Sequence, residues 1–383
     1  MAGAVLHGDF ISDGGVLWRA EDTRLYGFVA DIPNFYERES LFTMSSDRIK
    51  IITPSRLLVN INNHGYIAEQ SYTLNINSTA YYDSASVSMA TASSRIGKNI
   101  YIYAVEKPNT EVPGFVLSAN STVPSGYTAS TSRKLGGFHC LCANAGTIAG
   151  HPYSGYTAGN ILPLSIWDLK HRPIASPEGM VWVEEIGKWV DIYLNSWDGT
   201  KLASVYNGVI ACGNSNSNHM WNGEKFVEYL AKVKKTLPTR DEFSTFSKQS
   251  NERTNISRSA NPVRTGGHMD TNSLRMISNY SLEDCCGVVY QWTTNLVDDV
   301  PGSNYTEKSY WMSWYNWNTD SVFKDGVNSP QCGDSYGLLR RIATGGAYNS
   351  GTHAGSRCVR MDLLSANNLN VSGARGVSLP KEC

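Results

Sequence analysis

The clearest helical period in this 383-residue chain runs only from Glu224 to Lys235. Phe226, Tyr229, Leu230 and Val233 fall there at i, i+3, i+4 and i+7, one face of an α-helix. Asn222, just before Gly223 and Glu224, suits the N-cap. Lys232, Lys234 and Lys235 favour the negative end of the helix dipole, and Pro238 stops the run. Thr239-Arg240-Asp241-Glu242-Phe243 then opens a second helix, with Thr239 or Asp241 near its cap. Almost everything else is short. Val16-Leu17-Trp18, Leu25 to Val29, Ile49 to Ile52, Leu57 to Ile61 and Ile100 to Val105 are β-branched or aromatic runs. Gly, Pro, Asn, Asp and Ser clusters separate them. From about Leu162 the character changes, and Gly179 to Val183 and Trp189 to Leu194 read as further strands before the helices. An all-β N-terminal region followed by strands with two helices is an α+β pattern. Residues 250–273 are polar and almost free of large apolar groups, and are expected to form a long surface loop.

Composition excludes several classes. Formal net charge is -1 and only 17% of residues are charged, so there is no electrostatic reason to bind nucleic acid. No apolar run approaches the ~20 residues of a membrane span, so no membrane insertion is expected. The first ten residues lack the basic and apolar regions of a Sec signal, so export by lysis or by another machine is expected. The 21 tyrosines and 10 tryptophans, with frequent Ser and Asn, are the residues of adaptable recognition surfaces and also of ordinary β proteins. Tyr310 to Trp317 is the densest aromatic run, suited to core packing or to a contact platform.

Catalytic signatures are missing. The chain has no phosphate loop, no H-E-x-x-H, no G-x-S-x-G and no dinucleotide fingerprint. The eight histidines are scattered, none four residues from another. Glu283-Asp284 and Asp298-Asp299 are adjacent carboxylates, which point apart on a strand and make poor acid/base pairs. The eight cysteines show a C-x-C and a vicinal Cys285-Cys286 pair without the matching pair a zinc site needs, so buried thiols are expected. No cofactor is expected. A structural divalent cation stays open, since carboxylate oxygens could ligate one, although EF-hand spacing is absent.

Further residues carry a resemblance. Gly345-Gly346-Ala347-Tyr348, Gly355-Ser356-Arg357 and Gly373-Ala374-Arg375-Gly376-Val377 resemble the C-terminal end of the phage major tropism determinants, retroelement-diversified receptor-binding proteins. Upstream, Lys134-Leu135-Gly136-Gly137-Phe138-His139, Trp167-Asp168-Leu169-Lys170, Arg172-Pro173 and Asp191-Ile192-Tyr193-Leu194 are similar in the same order. The resemblance covers roughly residues 123–383. It implies a virion-attachment region at 1–45, a β-sandwich-like part at 46–160 and a C-type-lectin-like domain at 161–383, a fold shared with formylglycine-generating enzymes. It implies no enzyme activity. It implies a homotrimer in the tail fibre, among other tail-fibre proteins, that binds a host bacterial surface protein or glycan. The family's variable residues fall here on Ala347, Asn349, Ser350, Gly351, His353, Arg360, Asp362, Leu363, Asn367, Leu369, Val371 and Ser372. Adenine-directed mutagenesis of Asn codons ending in a pyrimidine cannot produce Lys, Glu, Gln, Met or Trp, and none of these occupies the twelve positions. Arg357 and Arg375 are expected to be buried or partly buried organisers. If Leu369 and Val371 face solvent, Asn368 and Asn370 must face inward and find hydrogen-bond partners; the opposite register buries the apolar pair.

Two alternatives remain. Formylglycine-type oxidases share the fold, but they have a cysteine after a Trp-Glu-Trp motif, and none follows Trp292 here. A host-encoded, surface-displayed variable ligand-binding protein would need an export signal.

Overall fold

The computed structural model describes residues 10–13, 16–21, 24–29, 40–212, 221–257, 264–297, 340–361, 363, 365–366 and 368–381. The aromatic run Tyr310 to Trp317, Asp298-Asp299, Asp362 and Asn367 lie outside them. The described residues are mostly sheet with two short α-helices among them, and the chain divides into two compact units. The first takes in residues up to Ser94 with Ile100–Phe138 and Ile166–His171. The second takes in Arg95–Asn99, His139–Ser165 and the chain from Arg172 onward. Residues 139–165 therefore pack with the C-terminal part of the chain.

In the first unit, β1 (Phe10–Asp13), β2 (Val16–Glu21) and β3 (Arg24–Val29) form an antiparallel meander. β4 (Thr43–Met44), β5 (Lys50–Ile52) and β8 (Thr73–Asn75) pair around a hairpin of β6 (Leu57–Ile61) and β7 (His64–Ala68). Asn62 and Asn63 close that hairpin with φ of 49° and 63°, the left-handed pair of a type I′ turn, which Asn tolerates. A four-stranded sheet follows in the order β10 (Gly114–Ser118), β9 (Asn99–Val105), β11 (Ser132–His139) and β12 (Trp167–Asp168). Every residue of β9 after Asn99 is buried, so the apolar run marks a strand covered on both faces.

In the second unit, β13 (Met180–Val183) and β14 (Lys188–Asp191) form a hairpin, and β21 (Val377–Ser378) adds to β14. β15 (Ser196–Trp197) pairs with β16 (Leu202–Ala203). Helix α1 (Gly223–Lys232) starts as its sequence suggests: the Asn222 side chain accepts from the Lys225 N–H. It ends three residues earlier than the period implies. Lys234 turns into the left-handed region at φ 59°, and this sends Lys235 inward to an ion pair with Asp191 at 2.5 Å. Helix α2 (Arg240–Phe246) opens on a complete capping box between Thr239 and Glu242. The C-terminal sheet runs β19 (Gly355–Arg360), β18 (Arg340–Gly345), β17 (Tyr290–Val297), β20 (Ser372–Gly373), with β20 parallel to β17. Trp221, Phe226, Leu230, Trp292, Ala343 and Cys358 build the core against which this sheet packs.

Two expectations need correction. The described parts of this span, residues 250–257 and 264–273, are not a solvated loop: Ser250, Asn251, Thr254, Ile256 and Asp270 are buried. The polar groups satisfy one another, with Thr254 Oγ1 donating to Asp270 at 2.7 Å and Asn251 donating to the Thr254 carbonyl at 2.8 Å. Arg357 is exposed and lines a hollow of about 290 Å³ with Arg240, Asp241 and Ser244. Arg375 is fully buried, as the resemblance implies. Its guanidinium donates to the carbonyls of Asp191 and Ile192, both at 2.5 Å, to that of Glu283, and to Gln291 Oε1 at 3.2 Å. Cys140, Cys142, Cys212, Cys285, Cys286 and Cys358 are buried free thiols.

Candidate functional site

The stretch between β18 and β19 is a tight turn made by two left-handed glycines. Gly345 and Gly346 have φ of 87° and 80°. A Cβ on Gly346 would meet the Ala354 Cα at 2.7 Å, so no other residue fits that close approach. Beyond them, Ser350 folds the chain back: its hydroxyl accepts from the Ala347 N–H at 2.8 Å, and its own N–H donates to the Ala347 carbonyl at 3.0 Å. A single 3-10 turn, Gly351–His353, leads into β19. Asn349, Thr352 and His353 are exposed on this turn; Ser350 and Gly351 are half-buried.

Tyr290, at the start of β17, ties separate stretches together. It is only 3% exposed. Its hydroxyl lies 3.1 Å from Ser350 Oγ, the Arg360 guanidinium lies over its ring 5.3 Å from the centroid, and its N–H donates to the Val371 carbonyl at 2.7 Å. The turn and the end of β19 therefore meet the Tyr290 side chain, while the entry to β20 is held by its main chain. The sequence reading missed Tyr290, because one tyrosine among 21 carries no local signal of this role.

Of the twelve positions singled out in sequence, Asn349, Ser350, Gly351, His353 and Arg360 reach the surface around this centre. Ala347, Leu363 and Ser372 do not, at 0%, 2% and 0% exposure. Ala347 and Leu363 fill the core beside Trp221 and Phe226, and Ser372 is held in the parallel pairing with Tyr290. They cannot touch a ligand without unpacking the core, so a solvent-facing role is withdrawn for them. Leu369 and Val371 are half-buried against the same core, while Asn368 and Asn370 are exposed. The register is the one that buries the apolar pair, because water solvates the amides at no cost while the core gains from the aliphatic groups.

The remaining chemistry is structural. Glu283 takes both oxygens to Arg275, at 2.6 and 2.8 Å, deep in the interior. Asp284 lies 2.9 Å from His268 Nδ1 and accepts from the Gly266 N–H at 2.7 Å. The two carboxylates thus serve different partners and form no acid/base pair. Burial pushes the Cys285 thiol up to about 11 and Cys140 to about 12, the opposite of an activated nucleophile. His139, buried between Asn99 Oδ1 at 2.8 Å and the Tyr193 hydroxyl at 2.9 Å, is pushed down by burial to about 3 and stays neutral. No group of three or more His, Cys, Asp or Glu side chains is arranged around a metal position among the described residues. No helix among them is long and apolar enough to cross a membrane.

Mostly β structure with two helices among the described residues and a glycine-made turn over a C-terminal sheet defines a C-type-lectin-like fold of the kind seen in the major tropism determinants. The U1 variant of the Major Tropism Determinant matches with a TM-score of 0.64 at 24% identity, covering 89% of this chain and 83% of its own. The M1 variant gives 0.65 at 24%, covering 90% and 85%, and the P3c variant 0.63 at 20%, covering 100% and 96%. Residues 60–168 match the family of the Mtd second domain. The tail fiber receptor-binding protein of Bordetella phage BPP-1 is 28% identical over 284 residues, 68% of this chain. The chain spans 66% of that relative's length. The resemblance to major tropism determinants read from the C-terminal glycine motifs therefore holds.

Proposed function

We propose that this chain is a phage tail-fibre receptor-binding protein, not an enzyme, which sets host tropism through the surface around Tyr290. The observation that carries this reading is the placement of Asn349 and His353, exposed on a turn whose backbone is pinned at Ala347 and Ser350, with Arg360 half-buried over the Tyr290 ring that Ser350 also meets. Side chains there can change while the fold stays intact, since exposed substitutions away from special features usually cost within about 0.5 kcal/mol. The partner is a protein or glycan on a bacterial surface, and the protein works in the virion. A homotrimer within the fibre, alongside other tail-fibre proteins, would present several such faces at once, and linked weak contacts gain about 10²–10⁴ in avidity. The variable set that this structure supports is Asn349, Ser350, Gly351, His353 and Arg360, with Leu369 and Val371 at its half-buried margin. Asp362 and Asn367 stay in the set from the resemblance.

The test uses fluorescently labelled full chain and a panel of bacterial strains. The parent should stain at least one strain. The triple variant Asn349→Ala, His353→Ala, Arg360→Ala should lose that staining while still melting cooperatively, with only the modest loss of stability expected from removing the Arg360–Tyr290 contact. Equal staining by parent and triple variant would remove this face as the receptor-binding surface.

A further inference from the structure

A polar segment that touches no sequence-predicted site residue through its own side chains nevertheless grips the turn from behind. Residues 252–255 are hydrogen-bonded at three separate points to the strip that runs from Tyr348 to Ser356. The Asn255 side-chain amide donates to the Tyr348 carbonyl. The Arg253 N–H donates to the Ala354 carbonyl at 2.8 Å. The Ser356 N–H donates to both oxygens of Glu252, at 3.1 and 3.2 Å. The three points lie at the start of the turn, at its end and on the strand that leaves it.

The segment is itself anchored. Ile256 N–H donates to the Gly287 carbonyl at 3.0 Å, Gly287 N–H donates to Gly345 at 3.0 Å, and Thr271 N–H donates to the Asn255 carbonyl at 3.0 Å. Gly287 has φ 73°, and a Cβ there would sit 2.6 Å from the Asn255 Cα, so the close seat of the segment depends on that glycine. Arg253 holds φ 57°, a left-handed conformation that a long side chain rarely adopts, and it aims the N–H at Ala354. Such conformations persist where surrounding contacts over-determine them.

We propose that Glu252, Arg253 and Asn255 are positioning residues: a strap that sets the conformation in which the turn from Tyr348 to Ala354 meets its partner. The inference rests on the receptor-facing role proposed for that turn. The strap lies about a hundred residues upstream of the turn in sequence, outside the carried-over variable positions. It would let those side chains change without the backbone losing its shape, because the carbonyls and N–H groups it holds belong to the main chain.

Hydrogen–deuterium exchange on the full chain tests the strap without any receptor. In Asn255→Ala and Glu252→Ala, amides from Ser350 to Ser356 should exchange about tenfold faster or more, as expected when a buried hydrogen bond is lost. Amides of α1 should keep the parent rate. Glu252→Gln, which retains an acceptor for Ser356, should restore protection. Unchanged exchange at 350–356 in both alanine variants, or loss spread equally over α1, would overturn the strap. The strain-staining assay separates the two proposals. If the parent stains no strain, the receptor reading fails and the exchange result still decides the strap. If the parent stains and Asn255→Ala stains equally well despite its loosened turn, the positioning role is refuted.

Discussion

The Arg360 guanidinium lies 5.3 Å from the centroid of the Tyr290 ring, so the end of β19 is fixed over the first residue of β17. The hydroxyl of the same ring meets Ser350 at 3.1 Å. Tyr290→Phe should keep the ring under Arg360 and lose only the hydroxyl, at a cost of about 0.5–1.5 kcal/mol in urea unfolding. Tyr290→Leu should loosen both neighbours. In a double-mutant cycle on receptor binding, Arg360→Ala should then have little further effect. Additive effects would mean that Arg360 is held by something other than this ring.

The twelve positions taken from the resemblance should split by burial. Asn349→Ala and His353→Ala should leave stability within about 0.5 kcal/mol of the parent. Leu363→Ala, at 2% exposure inside the core, should cost about 2–5 kcal/mol. Equilibrium unfolding of the three variants reads this directly. A Leu363→Ala cost as small as that of Asn349→Ala would place Leu363 back on the surface.

How much was legible in sequence follows from these contrasts. The hairpin strands, the N-cap at Asn222 and the cap at Thr239 were readable, because local propensity and tertiary structure agree there. The end of α1 was not, since it is set by Asp191, some forty residues upstream, drawing Lys235 inward. The strap residues were misread for a related reason. Ser, Thr and Asn look alike in sequence whether water or a neighbouring carbonyl satisfies them, and in residues 250–257 it is the neighbours. The resemblance pointed to one stretch but not to which of its residues face outward. Ala347, Leu363 and Ser372 share the stretch with Asn349 and His353 and point the other way.

Arg375 should be intolerant of change. Its guanidinium serves three main-chain carbonyls and Gln291, joining β14, the Glu283 segment and β17 at one buried point. Arg375→Ala would strand these acceptors, and breaking a buried charged network of this kind costs about 3–5 kcal/mol. Arg375→Lys should not rescue, because an ammonium cannot reproduce the planar fork. Thermal melts and soluble yield of both variants are the measurement. Near-parental melting of Arg375→Lys would show that charge alone suffices.

The His268–Asp284 pair should give stability that fades with rising pH. The Asp284 charge, 2.9 Å away, raises His268 above its ordinary 6.5 despite burial. A histidine raised on folding contributes fully below 6.5, and that contribution is lost as pH climbs through its folded value. Burial works to raise Asp284, but the His268 charge and hydrogen bonds outweigh it, so its own contribution is lost on acidification. His268→Gln should therefore remove the decline that begins above 6.5 while leaving acid unfolding. An unchanged alkaline limb in the variant's pH–melting profile would assign that limb to another group.

Glu252 should show a different dependence. Burial raises its carboxyl to about 7 from 4.5, against the pull of the Ser356 hydrogen bonds and the Arg357 charge. The Cys286 thiol also faces it, and the Glu252 charge helps to push that thiol up. A raised carboxyl binds its proton more firmly in the folded chain than in the unfolded one, so stability falls as pH rises from about 4.5 to about 7 and is level above. Glu252→Gln keeps an acceptor for the Ser356 N–H and cannot ionise. It should gain melting temperature over the parent at pH 8 and show little gain at pH 5. An equal shift at both values would mean that the substitution acts through packing, with the carboxylate's burial playing no part.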